Sequence, residues 1–196
     1  NGAVGPRGDG YVVGAAMSIE EATRFHTMQA RAFASAGADM MSAITMNYVE
    51  EAIGVVRAAT AAGVPVAVSF TVETDGRLPS GTSLADAISR TDDATDSASA
   101  YYLVNCAHPT HFAHVIEEGA GTPWLARIRG VRANASTMSH AELDEATELD
   151  RGDIADLAGW YSRLGQHIDL RVVGGCCGTD HDHIDAIAAA TANVTV

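Results

Sequence analysis

Short apolar runs and amphipathic segments alternate along the chain. The clearest apolar run is 64–72, and similar runs predict further strands at 38–46, 101–106, 127–134 and 171–175. Between them, apolar residues recur three or four positions apart, which predicts helices near 18–36, 47–62, 110–118, 154–166 and 180–190 and a short one from Ser83. Near-continuous apolar strands that alternate with helices predict an α/β fold with a parallel sheet covered by helices.

The ends of several elements carry local signals. Ser18 and Glu21 have the spacing of a capping box, and Asn47 and Glu50 repeat that spacing at the start of the next helix. Gly63 is placed to end that second helix. The opening residues 1–10 contain four glycines and a proline, which predicts a loop.

Two topologies fit this order of elements, a closed barrel and an open, doubly wound sheet. In both, active groups lie at the carboxyl ends of the strands. The sequence places Thr71, Cys106, Asn134 and Cys176 at such ends. Contributions from several strands are typical of a barrel. No GxGxxG motif follows a strand, so a dinucleotide fingerprint is not present.

The three cysteines form the most distinctive chemical pattern. Cys176 and Cys177 are neighbours after the last apolar run, and Cys106 ends an earlier one. Thiolates are favoured zinc ligands, and three protein ligands leave a fourth position open, which is typical of a catalytic zinc site. The alternatives are buried, inert thiols or a strained vicinal disulfide. Cys176 and Cys177 can reach one ion only if the backbone turns sharply, and the glycines at 174, 175 and 178 allow such a turn.

Histidines near the cysteines are the next candidates for metal binding. His108, His111 and His114 follow Cys106 at the start of a helix. One helical turn of histidines after a strand end is more typical of a polar surface than of a ligand set. His181 and His183 are expected to surround the site or to face solvent.

Composition narrows the classes of partner. The chain has 25 acidic and 12 basic residues, a net charge of −13, which disfavours nucleic acid and anionic membranes. Every basic residue is arginine, so Schiff-base chemistry at lysine is excluded. Three cysteines do not form a disulfide framework, and no signal peptide or run of ~20 apolar residues is present. We therefore expect a cytoplasmic protein. Because the sequence starts at Asn1 and not at a methionine, we expect it to be a piece of a longer chain.

Asn105-Cys106 together with the run Gly174 to Thr179 resembles the homocysteine S-methyltransferase family. That family includes betaine- and S-methylmethionine-dependent enzymes and the homocysteine domain of cobalamin-dependent methionine synthase. Weaker matches extend over the whole chain, among them Ser69-Phe70-Thr71. The resemblance implies one (β/α)8 TIM-type barrel domain over 1–196 that holds only the last six or so β/α units. About two units would precede them.

The resemblance also implies a site and a reaction of methionine biosynthesis. Cys106, Cys176 and Cys177 would bind Zn²⁺. The sulfur of homocysteine would fill the open position as a thiolate and attack the methyl group of a donor to give methionine. No catalytic residue is expected beyond the zinc ligands. The substrate would be contacted by residues at several strand ends: Asn105, Asn134, Phe70 and Thr71.

One departure from the family pattern concerns the substrate. The family places a glutamate at the end of its fourth strand, where it meets the ammonium group, and this chain has Ile44 there. Glu73 or Glu50 would have to replace it. The alternatives are a different thiol or selenol acceptor, or a non-catalytic relative that binds zinc or thiols. The sequence does not distinguish among the methyl donors S-methylmethionine, S-adenosylmethionine, betaine and a corrinoid or folate partner.

Overall fold

Strands and helices alternate as the sequence predicts, except that two helices lie between the last two strands. The computed structural model describes residues 1–192. Its six strands are hydrogen-bonded in chain order in one sheet. Their bounds are β1 Gly2–Val4, β2 Met41–Met46, β3 Val66–Phe70, β4 Tyr101–Asn105, β5 Ile128–Ala133 and β6 Val172–Gly175.

Helices follow the strands in the predicted order. A short 3₁₀ turn at Leu125–Arg127 precedes β5. None of the helices among the described residues is long and apolar enough to span a membrane. The α-helices are α1 Ile19–Ser35, α2 Val49–Ala62, α3 Leu84–Thr95, α4 Pro109–Glu118, α5 His140–Glu145, α6 Ile154–Leu164 and α7 His181–Thr191.

The chain divides into two compact units. Unit 1 comprises Asn1–Thr71 and Leu78–Tyr102, and unit 2 comprises Val72–Arg77 and the described residues from Leu103 to 192. Each unit has its own parallel strand pairs: β1 with β2 and β2 with β3 in unit 1, and β5 with β6 in unit 2. A single barrel domain over the whole chain stays a prediction.

Unit 1 packs α1 against α2 and both against its strands. The predicted capping box of Ser18 and Glu21 begins α1. Gly54 lies in the middle of α2 because a Cβ there would come within 2.4 Å of the Ala22 side chain on α1. Gly63 ends α2 in the left-handed conformation, as predicted. β3 is buried along its whole length, as expected of a strand covered on both faces.

Two sequence-based expectations in unit 1 are wrong. The opening residues are not all loop, since Gly2–Val4 form β1 and pair with β2. A strand of three residues is too short to show an alternating pattern in the sequence, and β1 forms because it pairs with β2. Asn47 does not cap α2, because the N-cap residue is Tyr48, whose side chain makes no capping bond to the helix. The Asn47 amide instead donates to the Asp9 carbonyl, 2.9 Å away.

Unit 2 is organised by β5, β6 and the helix α6. The register pairs Gly130 with Val172 and Ala133 with Gly175. Tyr161 of α6 is fully buried, and its hydroxyl accepts from the Ala133 amide and donates to the Gly174 carbonyl. Burial raises the pKa of this phenol above its usual range. Tyr161 therefore fixes the carboxyl ends of both strands, immediately before the cysteine pair.

Candidate metal centre

The three cysteines meet at the carboxyl ends of two strands of unit 2. Cys106 follows β4, and Cys176 and Cys177 follow β6. Their sulfur atoms all lie within 4.8 Å of one another. Cys106 and Cys176 are joined as a disulfide, whereas Cys177 is an exposed free thiol. The disulfide joins residues 70 positions apart and is therefore not a vicinal one.

The arrangement fits a zinc ion once the thiols are reduced. Zn–S bonds of about 2.3 Å place tetrahedral sulfur ligands about 3.8 Å apart. That spacing falls inside the 4.8 Å limit that encloses the three sulfurs. Zinc binds thiolates, so its binding requires Cys106 and Cys176 in the reduced form. A soft, all-sulfur donor set also favours zinc over magnesium or calcium.

Cys106 has a backbone conformation that is uncommon for a residue with a side chain. Its φ is 55°, in the left-handed region. Such a conformation costs of order 1–3 kcal/mol and persists only where surrounding contacts hold it. Here the Cys106 amide donates to the Arg132 carbonyl at 3.1 Å, and the Cys106 carbonyl accepts from the side chains of Asn134 and His140.

Asn134 links the two cysteine loops. Its Nδ2 donates to the Cys106 carbonyl at 3.0 Å, and its Oδ1 accepts from the Cys177 amide at 3.2 Å. Asn134 is almost fully buried. The sequence predicts Asn134 at this strand end as a substrate contact, and its side chain forms a structural link between the two loops. Asn105 is buried at the end of β4.

The turn at Cys176 and Cys177 is tightly packed. The Cys176 amide donates to the Ala133 carbonyl at 2.8 Å, and the Thr179 hydroxyl donates to the Cys176 carbonyl at 2.7 Å. Gly178 has a φ of 79°, and a Cβ there would come within 2.3 Å of the Asp150 carbonyl oxygen. The turn therefore requires glycine at 178, as the sequence predicts.

His140 and Glu73 are functional candidates at this centre, and the sequence pattern did not connect them. Nε2 of His140 lies 2.6 Å from the Cys106 carbonyl oxygen, and Nδ1 lies 3.2 Å from Oε1 of Glu73. His140 is the first residue of α5, whose start is fixed by a capping box between Ser139 and Glu142. The spacing of Ser139 and Glu142 is the sequence signal that predicts the start of α5.

The histidines after Cys106 are not a polar surface. His108 and His111 are buried, and only His114 is exposed. His108 caps α4 by accepting from the Thr110 amide, and His111 Nε2 contacts the Thr137 carbonyl at 2.8 Å. Burial lowers the pKa of His108 to about 4. The side chains of His108 and His111 are therefore held in place by burial and by hydrogen bonds to the backbone.

A second group of possible metal ligands lies at the start of α7. It consists of Asp180, His181 and Asp182, all at least partly exposed. Arg151 forms ion pairs with both carboxylates of this group. The buried His183 contacts the Asp180 carboxylate at 2.8 Å and the Arg151 carbonyl at 2.9 Å. Arg151 and His183 thus already occupy carboxylate oxygens of this group, whereas the thiols are the softer donor set that zinc favours.

The remaining predicted substrate residues lie in unit 1. Phe70 ends β3 and stacks on Tyr102, with ring centroids 6.0 Å apart, as part of the core. Thr71 follows it and is fully buried. Oγ1 of Thr71 and Oδ1 of Asn47 have no hydrogen-bond partner among residues 1–192. Ile44 is partly exposed on β2 and precedes Thr45, whose φ is 61°.

Comparison with known proteins identifies the family. The sequence profile of the family described as homocysteine S-methyltransferase matches residues 1–191. The chain belongs to this family. Relatives that it resembles include homocysteine S-methyltransferase YbgG of Bacillus subtilis, with 28% identity over 176 residues. Another is the methionine synthase of Mycobacterium leprae, with 34% identity over 145 residues, or 71% of this chain and 11% of that protein.

Solved structures show the same fold. The metallated form of the homocysteine methyltransferase MmuM from Escherichia coli superimposes with a TM-score of 0.70 at 21% identity, over 96% of this chain and 59% of that one. An oxidized form of MmuM gives a TM-score of 0.70 at 22% identity, over 92% of this chain and 55% of that one. The predicted α/β fold, with the β/α units of a TIM-type barrel, is therefore confirmed.

The match covers only part of each relative. It extends over 89% of this chain and 53% of YbgG. The chain therefore spans about half the length of that relative.

Proposed function

We propose that this chain carries the metal centre of a zinc-dependent S-methyltransferase that methylates a thiol, with homocysteine as acceptor and methionine as product. One observation carries the proposal: three cysteine sulfurs of a homocysteine S-methyltransferase family member lie within 4.8 Å of one another. Cys106, Cys176 and Cys177 would hold the ion, and the substrate thiol would take the fourth position.

The chemistry assigned to the ion is activation of the thiol. A free thiol has a pKa of about 8.5 and is mostly protonated at neutral pH. Bound zinc supplies a Lewis acid that favours the thiolate, which is the nucleophile for methyl transfer. In the reduced protein, three cysteine thiolates would bring three negative charges to the dication, so the centre would favour an electron-rich sulfur over the formation of hydroxide.

The protein side chains supply positioning. Asn134 ties the Cys106 and Cys177 loops together, so it would keep two ligands in register when the substrate enters. We propose Asn105, Phe70 and Thr71 as substrate contacts with Asn134. No general base would be required, because coordination to zinc would favour loss of the thiol proton.

Ile44 supports a second candidate acceptor. At the position where the family places a glutamate for the substrate ammonium group, an isoleucine provides no ion pair. A thiol or selenol without an amino-acid head group would tolerate this change. Replacing Ile44 by glutamate distinguishes the two acceptors: I44E should lower the KM for homocysteine if an amino acid is the substrate and leave it unchanged if it is not.

Zinc content tests the metal centre. The reduced protein should bind one zinc per chain after dialysis against a weak chelator, and Cys176→Ser should bind none. Asp182→Asn, in the exposed acidic group at α7, is the matched control and should keep full zinc content. Equal zinc in C176S and the wild type would contradict the proposed site, and loss of zinc only in D182N would move it to α7.

Methyl transfer tests the reaction. Homocysteine should be converted to methionine with at least one of S-methylmethionine, S-adenosylmethionine and betaine as donor, and product should disappear in C176S. A zinc-bound protein that methylates another thiol or a selenol but not homocysteine would support the second acceptor. Zinc binding without transfer to any acceptor would leave a non-catalytic zinc- or thiol-binding protein.

A further inference from the structure

In unit 2, a chain of contacts leads from the carboxylate of Glu73 through the imidazole of His140 to the backbone of the proposed metal ligand Cys106. Glu73 Oε1 lies 3.2 Å from His140 Nδ1, and His140 Nε2 lies 2.6 Å from the carbonyl oxygen of Cys106. The imidazole is largely buried, with 8% of the His140 side chain exposed. A carbonyl oxygen only accepts, so Nε2 of His140 donates in this contact.

We propose that His140 and Glu73 are positioning residues of the metal centre, which fix the backbone of Cys106 so that its sulfur stays close to those of Cys176 and Cys177. The inference rests on the proposed function, because it presumes that Cys106 binds zinc. His140 would hold the Cys106 peptide, and Glu73 would hold the ring of His140. Neither residue would touch the metal or the reacting sulfur.

The conformation of Cys106 explains why such a support is needed. With a φ of 55°, Cys106 would relax toward an ordinary backbone conformation if its carbonyl lost its donors. That relaxation would rotate the Cα–Cβ bond and carry the sulfur away from those of Cys176 and Cys177. Two side chains donate to this carbonyl, His140 and Asn134.

Both members of the pair are held by their own surroundings. Glu73 begins a tight turn in which its amide donates to the Arg77 carbonyl at 2.7 Å and its carbonyl accepts from Gly76 at 2.9 Å. A Cβ on Gly76 would come within 2.5 Å of Val115 on α4, so the turn packs closely on that helix. On the other side, the His111 bond to Thr137 anchors the segment that leads into His140.

Contacts beyond the ligands commonly tune a metal site. Removing a partner that orients a ligand costs about 10- to 100-fold in metal affinity. We expect a loss of this size for His140→Phe, which keeps an aromatic ring but has no donor. His140→Gln keeps an amide N–H that can donate to the same carbonyl and should recover most of the affinity. Glu73→Gln should have a smaller effect, because the ring of His140 remains in place.

The experiment measures zinc affinity of the reduced protein by competition with a chromogenic chelator, together with the thiolate charge-transfer absorption of the Co²⁺-substituted protein. The matched controls are His114→Phe and Glu117→Gln, both exposed on α4. Each should match the wild type. H140F should weaken zinc binding about 10- to 100-fold and change the Co²⁺ spectrum. Adding E73Q to H140F should cost nothing further, since the carboxylate acts only through the ring.

Several results would overturn the inference. Wild-type zinc affinity and an unchanged Co²⁺ spectrum in H140F would show that His140 does not position Cys106. A loss in H140Q as large as in H140F, with both variants folded by circular dichroism, would show that the donor is not what matters. Additive losses in the double variant would separate Glu73 from His140. Absence of zinc from the wild type would overturn the proposed function and this inference together.

Discussion

The carboxyl ends of the strands differ between the two units. In unit 2, the strained residue Cys106 donates one hydrogen bond through its backbone amide and accepts two through its carbonyl. The side-chain amide of Asn134 forms hydrogen bonds through both its nitrogen and its oxygen. In unit 1, the comparable strained residue is Thr45 after Ile44. Nearby polar atoms of unit 1, on Asn47 and Thr71, are buried without a partner among the described residues.

The difference fits the two tasks of the proposed thiol methyltransferase, which are to hold a metal and to bind a substrate. Polar groups that are already bonded hold a fixed geometry, as a metal centre requires. Buried polar groups without a partner cost stability unless a ligand or water completes them. The bonded groups of unit 2 therefore support the proposed metal site there, and the unpartnered buried atoms of Asn47 and Thr71 in unit 1 support the proposal that Thr71 contacts a polar ligand.

The largest expected effect concerns the disulfide in unit 2. Zinc and the Cys106–Cys176 disulfide use the same sulfurs, so oxidised protein should bind no zinc and reduced protein should bind one per chain. Thiol titration should give one free thiol in the oxidised protein, Cys177, and three in the reduced protein. Cys177→Ser is the control and should lower both counts by one. Full zinc content with a single free thiol would place the metal elsewhere.

The next effect concerns the link between the cysteine loops. Asn134→Ala removes a donor to the Cys106 carbonyl and leaves the Cys177 amide without an acceptor. The His140 contact to the Cys106 carbonyl remains, so the cost is that of lost hydrogen bonds, about 0.5–1.5 kcal/mol. We expect the free energy of unfolding of the reduced, metal-free protein to fall by about that amount, measured in urea. His114→Ala, an exposed change on α4, should leave it within about 0.5 kcal/mol of the wild type. An unchanged unfolding midpoint in N134A would show that the link does not stabilise unit 2.

Local patterns made part of this structure predictable. The capping box of Ser18 and Glu21 and the left-handed Gly63 depend on neighbours a few residues away, and the sequence pattern identified both. The same holds for the placement of the three cysteines at strand ends. Apolar runs, capping residues and glycines are therefore enough to predict features of this local kind.

Long-range contacts account for what the sequence did not predict. The Asn47 side chain bonds a carbonyl 38 residues earlier, so its capping spacing was misleading. His140 meets Cys106 across 34 residues and Glu73 across 67, and no local pattern connects them. The buried state of His108 and His111 likewise depends on packing around α4, which the spacing of three histidines does not reveal.

A moderate effect is expected in unit 1. Thr71→Val replaces a buried hydroxyl that has no partner by a methyl group of similar size. If this hydroxyl serves a ligand, T71V should raise the KM for the acceptor thiol and increase stability by about 1 kcal/mol. The measurements are the thermal midpoint of the free protein and steady-state kinetics. The Thr91 hydroxyl is also buried but donates to the Ala87 carbonyl. Thr91→Val is therefore the control and should not stabilise. Lower stability in T71V would indicate that an ordered water molecule forms a hydrogen bond with the Thr71 hydroxyl.

The smallest effect concerns acid stability at the start of α7. The hydrogen bond from His183, with the nearby Arg151, lowers the pKa of Asp180 from 3.8 to about 2. A carboxyl with a lowered pKa stabilises the fold above its unfolded pKa, and this contribution is lost as pH falls from about 4 toward 2. Asp180→Asn should therefore lower the thermal midpoint at pH 5 and approach the wild type at pH 3. Asp182→Asn, whose carboxylate is exposed beside Arg151, should change the midpoint less at both pH values. A constant difference between D180N and the wild type from pH 5 to pH 3 would show that the bond to His183 does not depend on the charge of Asp180.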